Sequence, residues 1–237
     1  MVVKHLSAYV TNERRSGSRT GRRSTPRSQA IFESLERDLI LGVLRPNSML
    51  LELDLADHFG CSQSTVREAL LQLQEHGLVE RTPHRGTNVA DCRIEDARVL
   101  LKIRRDIECS SIDRILERYD APVRQTLIAE IENMLKAAKD GDEYMLSVHD
   151  RQFHMTLFNT AQLPSVMPIL VRCLIHNHRF KIMNSKPNRA LLETAERHFP
   201  ILESLDSGDP KALYSVLSHH IATIVDFGPN FLADNNE

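Results

Sequence analysis

Residues 52–81 read ELDLADHFGCSQSTVREALLQLQEHGLVER. An apolar run at helical spacing, Leu53, Leu55, Ala56 and Phe59, stops at Gly60, and a second run follows with Val66, Leu70, Leu73 and Leu78. Glycine suits a tight turn there because it takes positive φ without strain. Ser62 or Ser64 is positioned to cap the second helix by accepting one of its free backbone N–H groups. Two short helices joined by a few residues around a glycine predict a helix-turn-helix, whose second helix enters the major groove of DNA.

Working outward, the string L-x-x-x-L-A-x-x-F-G-C-S-Q-S-T-V-R-E-A-L-x-x-L-x-x-x-G-L-V from Leu51 to Val79 resembles the winged-helix DNA-binding domain of the GntR family of bacterial regulators. Upstream, ILGVLRPNSML at 40–50 resembles that family's first helix and following turn, with Asn47 where glycine is usual. Asparagine also tolerates the left-handed region. Downstream, RTPHRGTNV at 81–89 resembles the two-stranded wing, with Gly86 at its tip. The resemblance implies DNA contacts from Ser62, Gln63, Ser64, Thr65 and Arg67 on the second helix, and from Arg85 and Gly86 at the wing. Gln63 replaces an arginine found in one branch; glutamine pairs with adenine and arginine with guanine, so a different base readout is expected.

At 237 residues the chain has room for one large or two ordinary domains. With 41% hydrophobic and 26% charged residues it is globular in composition. No run of eighteen apolar residues exists to cross a membrane. The basic N-terminus lacks the apolar core of a secretory signal. Cys61, Cys92, Cys109 and Cys173 are scattered, which fits reduced thiols and a cytoplasmic location better than a disulfide framework or zinc ribbon. The net charge of −2 conceals an asymmetry. Residues 1–29 hold seven Lys/Arg against Glu13, whereas residues 30–92 hold five Lys/Arg against ten Asp/Glu. A DNA-binding domain that is net acidic must segregate its charge or borrow phosphate attraction from the basic tail.

Residues 1–29, rich in Arg, Ser, Thr and Gly, cannot bury enough surface to offset ordering and read as disordered. They are either a flexible arm on DNA phosphates or a solvated start. Residues 30–92 form the winged helix. A connector at 93–97 leads into an all-helical remainder, 93–237, with helices expected over 95–119, 122–140, 142–161, 165–183, 190–207 and 210–227. The expected architecture is mainly α: an N-terminal winged helix-turn-helix with a small β wing, then a bundle of six to seven helices.

Three of those helices carry polar residues on apolar stripes. Asp150 interrupts Leu146, Phe153, Leu157 and Ala161, with His154 one turn beyond on the same side. His198 sits among Leu191, Ala195, Leu202 and Leu205, and His220 among Leu213, Val216, Leu217 and Ile224, with His219 rotated off the stripe. One histidine on an apolar face is ordinarily a satisfied core residue. A buried carboxylate facing three imidazoles instead suits a divalent metal, zinc first, with nickel or manganese as alternatives. The motifs D-R-Q-F-H at 150–154 and I-R-R-D-I-E at 103–108 resemble the FCD effector domain of one GntR branch. Those proteins are dimers controlled by small organic acids, some bound beside a metal. Pro200, two residues after His198, departs from the pattern and is expected to kink its helix. Arg104 faces inward, where its partner is either an effector carboxylate or Glu108 one turn along. The combined expectation is a homodimeric regulator of double-stranded operator DNA with a small-acid effector. The alternatives are a regulator for which the metal is the signal, and a metal-dependent hydrolase.

Overall fold

The computed structural model describes residues 25–82, 86–185 and 189–223. The expected arm at 1–24, His84 and Arg85 at the wing tip, Ile224 and the helix end near Phe227 lie outside them. The chain divides into two compact units, Met1–Cys92 and Arg93–Glu237.

In the first unit, α1 (Pro26–Ile40) precedes β1 (Met49–Leu50), α2 (Glu52–Phe59), α3 (Gln63–Glu75), β2 (Val79–Thr82) and β3 (Gly86–Val89). The helix-turn-helix forms as its residues require. Gly60 closes α2 at φ 56°, and Ser62 rather than Ser64 caps α3 by accepting from the Thr65 N–H. Asn47 takes φ 63° where glycine is usual. The two strands of the wing, β2 and β3, pair antiparallel, and the short β1 adds a third strand beyond β3 in the order β1-β3-β2. Leu35, Leu39, Leu55, Val66, Leu70, Leu73 and Leu78 make the core between α1, α2 and α3.

Two expectations are corrected here. The tail was taken to run to residue 29, but helix begins at Pro26. Thr25 accepts from the Ser28 N–H, and Pro26 sits in the first turn, where its missing N–H costs nothing. Residues 41–48 are turn, and the first helix lies entirely upstream of them.

The second unit runs α4 (Ile94–Ser110), α5 (Ile112–Leu116), α6 (Ala121–Asp140), α7 (Glu143–Asn159), α8 (Met167–Asn184), α9 (Leu191–Glu196), α10 (Phe199–Ser207) and α11 (Pro210–Ala222). Among the described residues eight helical segments replace the six or seven expected, because two long helices break, and the 93–97 connector is already helical from Ile94. The first break is at Ser111, where Ser110 and Ser111 both donate their hydroxyls to the Ile107 carbonyl and compete with the backbone ladder. The second separates α9 from α10, since Pro200 in the first turn of α10 has no N–H to continue the ladder. Asp120, Asp142 and Asp209 cap α6, α7 and α11. Gly141, at φ 70°, turns α6 back against α7.

Leu70 is wholly enclosed. Leu70→Ala is therefore expected to destabilise the first unit by about 2–5 kcal/mol, measured by urea denaturation. Gly60→Ala, which forces an alanine to positive φ, should cost about 1–2 kcal/mol by the same assay.

Candidate functional site

Asp150 and His154 lie one turn apart on α7. His198 occupies the junction of α9 and α10, and His220 lies near the end of α11. One ligand-capable atom from each falls within 4.8 Å of every other. Asp150 is 2% exposed, His154 and His198 are fully enclosed, and His220 is half-buried. His219 points to solvent, as its rotation predicts.

The hydrogen bonds decide which atoms face inward. His154 donates its Nδ1 proton to Glu108 Oε2 at 2.6 Å, since an ionised carboxylate only accepts. Its Nε2 therefore presents a lone pair. His198 donates from Nδ1 to the Ala195 carbonyl at 3.1 Å, so its Nε2 also presents a lone pair, 3.4 Å from Asp150 Oδ1. Those two acceptors face one another with no hydrogen between them, and His198 Nε2 has no hydrogen-bond partner among the described residues. His220 Nε2 lies 3.2 Å from His154 Nε2 and must supply the proton there. That leaves its own buried Nδ1 without a partner among the described residues. Four converging ligand atoms thus share a single proton, an arrangement a divalent cation satisfies and hydrogen bonding does not.

The ionisation states agree. Burial would raise the Asp150 carboxyl, but His178, which donates to it, outweighs burial and holds it well below the usual range. Burial would likewise raise Glu108, and His154 and Arg104 outweigh it. Burial lowers His154 despite Glu108, and burial with the neighbouring His198 and His154 keeps His220 well below an ordinary histidine. At neutral pH Asp150 is therefore ionised and His154 and His220 are uncharged.

The surrounding groups were partly missed. His178, for which the sequence offered no stripe, is 3% exposed and donates from Nε2 to Asp150 Oδ2 at 2.8 Å, and burial pushes it down to about 4. Glu108 does more than pair with Arg104. Its Oε1 accepts from Arg104 Nε at 2.6 Å while Oε2 orients His154. Arg104, 3% exposed, keeps a buried Nη2 with no partner among the described residues. Beside Asp150 is a chamber of about 10 Å³, lined by Ser147, His178, Lys181, Arg189 and Thr194 among others, and burial pushes Lys181 down to about 8. His149 pairs with Glu130, and Glu143, which also lines the chamber, pairs with Arg189.

In the first unit, Ser62, Ser64 and Gln63 open α3 and are exposed to partly exposed, and Thr65 follows in the same turn. Arg67 is half-exposed and pairs with Glu52. Gly86 starts β3 at φ 89° opposite Thr82.

Comparison with known proteins matches this division. Residues 27–89 fit the family described as bacterial regulatory proteins, gntR family, and residues 99–223 fit the FCD domain. The chain is 27% identical over 200 residues to the probable D-xylose utilization operon transcriptional repressor of Paenarthrobacter nicotinovorans, covering 84% of this chain and 87% of that one. It is 24% identical over 208 residues to the HTH-type transcriptional repressor RspR of Escherichia coli, again covering 84% and 87%. Among solved structures, E. coli McbR/YncC has a similar fold, with a TM-score of 0.68 at 20% identity over 83% of this chain and 94% of that one. No helix among the described residues is long and apolar enough to cross a membrane. The chain therefore belongs to the GntR family, with an FCD domain behind its winged helix, and is a DNA-binding transcriptional regulator and not an enzyme.

Proposed function

We propose that the chain is a cytoplasmic repressor that binds operator DNA as a homodimer, and whose DNA affinity is set by a small organic acid held beside a divalent metal ion. The observation that carries the reading is the convergence of four ligand atoms, with the acceptors His198 Nε2 and Asp150 Oδ1 facing one another without a proton between them. Asp150, His154, His198 and His220 would hold the ion, zinc first, with nickel or manganese as alternatives. Bound there, it would offer positive charge and open coordination positions to a carboxylate.

The protein's own groups have distinct tasks. Glu108 fixes the tautomer and ring orientation of His154, and His178 occupies the second oxygen of Asp150. Arg104, steered by Glu108, retains one buried donor for an anion. On the DNA side, Ser62, Gln63, Ser64 and Thr65 begin the helix that enters the major groove, with Arg67 for phosphate and Arg85 and Gly86 at the wing. Two readers are needed for a palindromic operator, which supports the dimer. The repressor sign follows the relatives named as repressors. Effector and DNA then change each other's affinity by the same factor.

The small chamber beside Asp150 favours a second reading, in which the metal alone is the signal. Titrating DNA affinity against zinc, with and without added organic acids, separates the two. A response to zinc that no acid alters selects the second.

His198→Ala is expected to abolish zinc in the purified protein by elemental analysis while leaving the first unit folded; a full metal complement would remove His198 from the set. Glu108→Gln should weaken zinc binding by about 10–100-fold in a competitive chelator titration, because one amide oxygen cannot accept from both Arg104 and His154. Arg67→Ala should weaken operator binding and flatten the slope of log affinity against log salt by about 0.9, measured by fluorescence anisotropy.

A further inference from the structure

Glu52 is the first residue of α2, yet its carboxylate reaches two other elements. Arg67 of α3 donates to it from one edge of its guanidinium. Nη2 lies 2.7 Å from Oε2, and Nε lies 3.2 and 3.3 Å from the two oxygens. Arg81 of β2 donates from Nη2 to Oε1 at 3.0 Å. One acid thus joins the recognition helix to the wing strand. The Nη1 group of Arg67, and the Nε and Nη1 groups of Arg81, make no hydrogen bond among the described residues and are left for another acceptor.

We propose that Glu52 is a positioning residue for DNA recognition, holding Arg67 and Arg81 together as a paired phosphate clamp whose free donors face the DNA backbone. This rests on the reading of Arg67 as a phosphate contact. The alternative role, a stabilising surface ion pair, is weak on magnitude. The Arg67, Arg81 and Glu52 side chains are 51%, 30% and 20% exposed, and exposed pairs contribute little to folding. What the pair does change is freedom. A long arginine loses many rotamers when it docks on a phosphate, and an arginine already held loses fewer. Burial would raise the Glu52 carboxyl only after its hydrogen bond to Arg67 has lowered it, and the charges of both arginines lower it further, so the acid stays ionised.

The position has a cost that makes the role testable. A carboxylate beside the DNA face repels every phosphate, whatever the sequence. Glu52 therefore weakens indiscriminate binding while it aligns the arginines for the one register in which both reach a phosphate. Its effects on specific and non-specific DNA have opposite signs.

The test uses the full chain as wild type, Glu52→Gln, Arg67→Ala and the double variant. Each is titrated by fluorescence anisotropy, across a salt series, with a duplex selected by the wild type from a random pool and with a scrambled duplex of the same composition. Glu52→Gln should bind the selected duplex about three-fold more weakly, the scale of one exposed ion pair. It should bind the scrambled duplex more tightly, with a salt slope steeper by about one unit. The loss on the selected duplex should vanish when Arg67 is already alanine. Lowered thermal stability with both affinities unchanged would make Glu52 structural only and overturn the proposal. An equal rise on both duplexes would make it a simple repeller, which also overturns it. If Arg67→Ala leaves the selected duplex unaffected, the phosphate reading itself fails; if only Glu52→Gln is silent, that reading survives and the clamp does not.

Discussion

A carboxylate with 2% of its surface in water is the constraint around which the second unit is arranged. An ionised group so placed must be compensated, and removing its partners leaves an uncompensated buried charge that costs about 3–5 kcal/mol. Asp150 is compensated by His178 of α8, which donates to one oxygen, while its other oxygen faces the lone pair of His198. Glu108 repeats the pattern one layer away, divided between Arg104 of its own helix and His154 of α7. These two acids fasten α4, α7, α8 and the α9–α10 junction to one another through polar groups inside an otherwise apolar interior. Such an interior has few alternative arrangements, because each polar atom that shifts must find another partner.

The break before α10 gives that junction a second role. Arg197, immediately before His198, donates from Nη1 to the Thr223 carbonyl at 2.9 Å and from Nη2 to the His220 carbonyl at 3.2 Å. The residue beside one ligand therefore caps the end of the helix that carries another. Had α9 and α10 formed one continuous helix, Arg197 and His198 would project about 100° apart from a rigid rod. Pro200 interrupts the ladder instead, and α10 packs through Ile201, Leu202 and Leu205. Whatever draws His198 and His220 together also draws on the C-terminal turn of α11.

The sequence disclosed most of this, and the omissions have physical causes. Gly60, Ser62 and the apolar spacing between them gave the helix-turn-helix, because local backbone chemistry alone determines it. Asp150, His154, His198 and His220 were legible because each interrupts an otherwise apolar stripe. His178 was not, because Asn177, His178, Arg179 and Phe180 are all buried, and a helix enclosed on every side has no stripe to interrupt. The bond from Glu108 to His154 spans 46 residues, beyond any spacing rule. The start of α1 had a signal, Thr25 followed by Pro26, but it was masked by the Arg- and Ser-rich composition around it.

The same distinction between placement and sum resolves the charge of the winged helix. Counted as a string, residues 30–92 hold twice as many acids as bases, an odd composition for a reader of DNA. Folded, the count misleads. Glu36 and Asp38 are buried on α1, and Glu52 lies between two arginines. On the proposed reading, Arg67 and Arg81 offer DNA two cations held in position by Glu52, not a broad basic field. A broad field gives strong attraction to any duplex and a steep dependence on salt, whereas a few placed cations give little of either. Affinity then has to come from contacts that form only in register, and the domain's discrimination follows from its shortage of charge.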